Sequence, residues 1–84
     1  MFWIWNHTKT RCILMSDIAE FNILAERKSD PESSSEKVVF VLEAVLNDDK
    51  TPHECVILGV AEEKEYLVRE VNLYISDYKR LFRG

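Results

Sequence analysis

Two short, almost unbroken apolar runs, KVVFVLEAVL (37–46) and HECVILGVA (53–61), constrain the fold of this chain more than any other feature. Each is too apolar to lie free in water and too short to cross a bilayer as a helix. Periodicity alone does not decide between helix and strand for runs of this kind. Ser33 with Glu36, and Thr51 with Glu54, read as capping boxes, the second with Pro52 at the favoured first helical position. Against that stand the β-branched Val38, Val39, Val41, Val45, Val56, Ile57 and Val60, with Gly59 inside the second run. The β-branched density weighs more, and the spacer NDDKTP then joins the two runs as an antiparallel hairpin.

Read as strands, the first run is apolar on both sides. Val38, Phe40, Leu42, Ala44 and Leu46 form one face; Val39, Val41 and Val45 form the other, interrupted by Glu43. A sheet of this kind needs cover on both faces. Elements of the same chain are expected to cover one, and the other is expected to meet a partner subunit or the N-terminal segment.

The flanking segments supply those elements. In EKEYLVREVNLYISDYKRLF, Leu67, Val71, Tyr74, Tyr78 and Leu81 recur at spacings of four and three, with Val68, Ile75 and Phe82 alongside. Acids lead this segment and bases end it, as the helix dipole favours, and Gly84 is placed to stop it. SDIAEFNILAERKSDP also reads as a helix. Asp17 and Glu20 form a capping box, Ile18, Phe21, Leu24 and Ala25 share a helical face, and Pro31 closes the element. Residues 29–36 form a polar, flexible linker. Residues 1–15 hold two short β-favouring runs around NHTKT, which fit either a hairpin or a leader preceding Met15.

The expected fold is therefore a small α+β single domain spanning residues 1–84. Its order is β-β-α-β-β-α, with two helices on one face of an antiparallel sheet. The alternative is an all-α four-helix arrangement built on the caps at Ser33 and Thr51.

Chemistry-bearing patterns are sparse. Two glycines, one terminal, leave no phosphate-cradling loop, and no nucleophile elbow is present. His53 and Cys55, two apart, would share a strand face and could form a thiol–imidazole pair, but no oxyanion loop lies near them. Adding His7 and Cys12 gives a nominal zinc set whose spacing matches no zinc knuckle. Two cysteines without a disulfide-like spacing place the chain in a reducing, cytoplasmic setting, and no stretch suits a membrane span or signal peptide. The net charge of −4 argues against a polyanionic partner. The basic ends, Lys9 and Arg11 with Lys79, Arg80 and Arg83, keep a nucleic-acid-linked regulator as an alternative, and a small cysteine-based enzyme is a weaker one.

An apolar content of 46% in 84 residues is generous for so small a body. The expectation is a non-enzymatic interaction or regulatory module, or a small subunit, with no cofactor and no metal. It would bind another protein or itself, as a homodimer, through the second sheet face or the C-terminal helix. Tryptophans are frequent interface anchors, so Trp3 and Trp5 join Val39, Val41, Val45, Leu73, Ile75 and Phe82 as candidate interface residues.

Overall fold

The computed structural model describes residues 2–29, 31–32, 35–49 and 51–83, with side chains through residue 80. The middle runs are strands, β4 (Glu36–Leu46) and β5 (Cys55–Ala61), and the C-terminal segment is the helix α1 (Lys64–Arg83). Gly84, expected to stop that helix, and Ser33, expected to cap another, lie outside the described residues. The N-terminal runs form a two-stranded hairpin, β1 (Trp3–Trp5) and β2 (Cys12–Leu14), with Ile4 opposite Ile13.

The segment expected to be the first helix is instead a strand, β3 (Ile18–Ser29). The cap expected at Asp17 is not made: the chain there forms a single 3-10 turn, Met15–Asp17, entered from Leu14 without a side-chain cap. The reason lies in the partner strand. β4 is a long central strand whose backbone groups need a ladder on both edges, and β5 supplies only one. β3 supplies the other, pairing from Ile18 opposite Leu46 to Ser29 opposite Glu36. In strand phase Phe21 and Ile23 turn inward, and Glu20, Asn22, Leu24 and Glu26 turn outward. That pattern competes with the helical one and wins through tertiary pairing. The sheet order is β3-β4-β5, antiparallel throughout, and among the described residues α1 alone fills the helical layer in place of two helices. Of the polar 29–36 segment, Ser29 and Glu36 face each other at the end of the β3–β4 ladder, and 30–35 is the connection, partly outside the described residues.

One face of the sheet carries the core. Leu42 and Ala44 are fully buried there, with Leu46, Val56 and Leu58, under Leu67 of the helix and Ile4, Ile13 and Met15 from the N-terminal part. The hairpin thus packs on the same face as the helix. Phe2 stacks on Tyr78 at 6.5 Å, and Phe21 stacks on Tyr74 at 6.4 Å. Asn6 shapes the hairpin turn: its Oδ1 accepts from the Thr10 and Arg11 amides at 2.9 and 3.1 Å, and Lys9 takes φ of 60°. The turn reaches the outer edge of β5, where the His7 amide donates to the Ile57 carbonyl at 2.8 Å.

A bulge rephases β5. Leu42 faces Gly59 while Glu43 faces Ile57, so Leu58 is the extra residue. Leu58 and Gly59 both turn inward as a result, and Ile57 and Val60 both turn outward. Gly59 also lets the helix cross closely: a Cβ there would stand 3.3 Å from Leu67 Cδ2 and 3.1 Å from Glu70 Oε2.

Candidate interaction surface

The hairpin and the helix both lie on the core side, which leaves the opposite face of the sheet uncovered among the described residues. The strand registers lay this face out row by row. Glu20, Val45 and Cys55 form one row; Asn22, Glu43 and Ile57 the next; Leu24, Val41 and Val60 the third; Glu26 faces Val39 and Lys28 faces Lys37 beyond them. The third row is wholly apolar. Val41, in the middle strand, is buried between Leu24 and Val60, which are 45% and 36% exposed. Ile57 is 49% exposed. Asn22 Nδ2 donates to Glu43 Oε1 at 3.5 Å, so the only acid in the middle strand of this patch has an amide beside it. Lys37 at the border pairs with Glu62.

The expected interface residues fall in three separate places. Val39, Val41 and Val45 belong to the open sheet face, where Val39 and Val41 are buried side by side with larger neighbours. Trp3 and Trp5 sit on the outer side of the hairpin, each about half exposed, while Ile4 between them enters the core. Leu73 is exposed on the outer side of α1, beside a shallow depression lined by Arg69, Asn72 and Ser76. Ile75 is half-buried and packs against the core, and the Phe82 side chain lies outside the described residues. Leu24, Ile57 and Val60 were not among the sequence candidates. Leu24 was hidden by its helical assignment. Ile57 and Val60 share an outward face only because of the bulge, whose local signal is the neighbouring Gly59.

The histidine and cysteine residues do not form a thiol–imidazole pair. His53 precedes β5 and turns its Nδ1 to Asp48 Oδ1 at 3.0 Å, and the Glu54 amide donates to the same carboxylate at 3.3 Å. The Cys55 thiol meets the backbone carbonyl of His53 at 3.8 Å, not its ring. Partial desolvation raises the Cys55 pKa, and Glu43, Glu20 and Asp48 raise it further. Its thiolate is therefore scarcer at neutral pH than that of an unperturbed thiol. Alkylation of Cys55 at neutral pH should run slower than that of a free thiol, followed by mass spectrometry with Cys12→Ser to isolate the site; a faster rate would reinstate an activated cysteine.

Beside Cys55, a cleft of about 330 Å³ separates the hairpin turn from β5, bordered by His7, Thr8, Arg11 and Glu54. Arg11 and Glu54 close it with an ion pair, which raises the Arg11 pKa. No group of three His, Cys, Asp or Glu that could hold a metal occurs among the described residues. Of the residues at the two ends, Arg11 lies by the hairpin turn at β5, and Tyr78, next to Lys79 in the helix, packs at Phe2, which precedes β1. Half-buried Tyr74 donates to Glu70, and its partial burial, then that carboxylate, push its pKa well above the ordinary tyrosine value. No helix among the described residues is long and apolar enough to cross a membrane.

Comparison with known proteins finds no matching family model, no similar curated protein and no similar solved structure.

Proposed function

We propose that this chain is a non-enzymatic, cytoplasmic interaction module, a small regulatory subunit that associates with itself and presents the open sheet face to a protein partner. The observation that carries this reading is the apolar third row of that face, Leu24–Val41–Val60, with exposed Ile57 beside it and no element above it among the described residues. Apolar patches rimmed by charge, here Glu20, Glu26, Lys28 and Glu62, are characteristic of surfaces that meet other proteins. Both cysteines are unpaired and exposed, in keeping with a reducing compartment.

Light scattering over a wide concentration range tests self-association, with twice the chain's mass as the expected result. A single-chain mass at every concentration would overturn it. The patch is tested by Val60→Lys, which should lower binding of an apolar fluorescent dye while changing stability by less than about 0.5 kcal/mol, as a solvent-facing site does. Unchanged dye binding would remove the sheet face from the reading.

A further inference from the structure

We infer that two copies join edge to edge through β3, antiparallel, with Leu24 facing Leu24 of the second copy across a two-fold axis perpendicular to the sheet. This rests on the self-association proposed above and gives it a geometry.

β3 is the longest strand in the sheet and lies at its edge. Its outer backbone groups meet no other element among the described residues. The edge of β5, by contrast, is partly occupied by the His7 amide on Ile57. Edge strands left open in monomers are usually short, or broken by proline or by central charge. β3 has none of these in its centre: Asn22, Ile23, Leu24 and Ala25 are uncharged, and the bulge between Ile18 and Glu20 lies at one end.

The charges at the two ends of β3 then select the register. Antiparallel pairing about a two-fold axis places residue i opposite a residue of the same face in the second copy. Centred on Leu24, Glu20 faces Lys28 of the second copy, twice by symmetry, and Ile23 faces Ala25. Centred on Ile23, Glu20 would face Glu26; centred on Ala25, Leu24 would face Glu26 and Ile23 would face Arg27; centred on Asn22, Leu24 would face Glu20. Among these registers only the one centred on Leu24 sets opposite charges against each other; it puts Leu24 against Leu24 on the open face, and Phe21 opposite Arg27 on the core side. Within one chain Glu20 and Lys28 have no ion-pair partner among the described residues, and Lys28 stands opposite another cation, Lys37. Pairing with a second copy gives both a counter-charge.

The same register completes the open face. Leu24, Val41 and Val60 lie in one cross-strand row. The two-fold axis joins it to its copy as Val60–Val41–Leu24–Leu24–Val41–Val60, an unbroken apolar band across a doubled sheet. Both helices remain together on the other side.

Leu24→Cys tests the geometry, in a chain carrying Cys12→Ser and Cys55→Ser. Opposed residues of an antiparallel pair have Cα atoms about 4.5–5.5 Å apart, within disulfide range. Oxidation with diamide, an azo compound that takes up the two electrons and two protons of two thiols, should give a covalent dimer reversed by reductant. Asn22→Cys is the control, because its two copies would lie about 13 Å apart along the strands and cannot bridge. Glu20→Lys and Lys28→Glu should each weaken the dimer about tenfold or more, and the double exchange should restore it, read by sedimentation equilibrium. Bridging at Asn22 in place of Leu24, or singles that leave dimerisation unchanged, would overturn the register. A wild-type dimer that bridges at neither position would overturn edge pairing and leave self-association standing; a wild-type monomer would overturn both.

Discussion

Leu42→Ala is expected to lower the unfolding free energy by about 3–5 kcal/mol, the upper part of the range for a buried leucine truncation. Among the described residues Leu42 is the largest side chain with no solvent exposure at all, in the middle of the central strand. It has β3 and β5 on either side, facing Ile23 in one and Gly59 in the other. Strands held in ladders on both edges cannot close in on the cavity, so little of the lost contact is recovered by relaxation. A chain of 84 residues has a total stability of about 4–12 kcal/mol, so this one truncation removes a large share of it. Urea unfolding followed by far-ultraviolet circular dichroism reads the effect as a lower midpoint at unchanged slope. A loss below about 1 kcal/mol would mean that the helix and hairpin do not seal this face.

A chain beginning at Met15 is expected to melt about 15 °C or more below the full chain. Ile4 and Ile13, 2% and 4% exposed, both belong to the core cluster. Burying a side chain of that size stabilises by about 1.5–3 kcal/mol, offset in part by the entropy of ordering the hairpin. Removing residues 1–14 also removes Phe2 from Tyr78, the Arg11–Glu54 ion pair and the amide that His7 places on Ile57. Leu58 and Leu67, buried beneath the hairpin's cluster, would gain solvent. Differential scanning calorimetry on both chains checks this. Equal melting temperatures would show that the first residues contribute nothing to the domain.

The segments differ in how plainly they could be read. The C-terminal helix was plain because its apolar spacing, acid-to-base polarity and length all agree. β4 and β5 were readable from their valines, and the two faces of β4 follow from alternation alone. β3 was not, for a physical reason: Ala19, Glu20, Leu24, Ala25, Glu26, Arg27 and Lys28 are good helix formers, and Ile18, Phe21 and Leu24 do share a helical face. What overrides them is the unpaired edge of β4, a requirement set by a segment that follows in the chain. Trp3 and Trp5 could be placed on one face of a short strand from their spacing. Which way that face points depends on Ile4 and Ile13 finding the core, a long-range packing outcome. The open face was anticipated through Val39, Val41 and Val45, whereas its exposed members, Leu24, Ile57 and Val60, followed from one misassigned element and one bulge.

The sheet order β3-β4-β5 runs in chain order, and β1 pairs with β2. Every ladder can therefore close across a short connection, with no segment threading between others. Closing short loops costs little entropy, so the three-stranded meander is free to zip from its own turns. The two chain ends, one a hairpin and one a helix, pack on one face of that meander. The stack of Phe2 on Tyr78 ties those two ends to each other across the sheet.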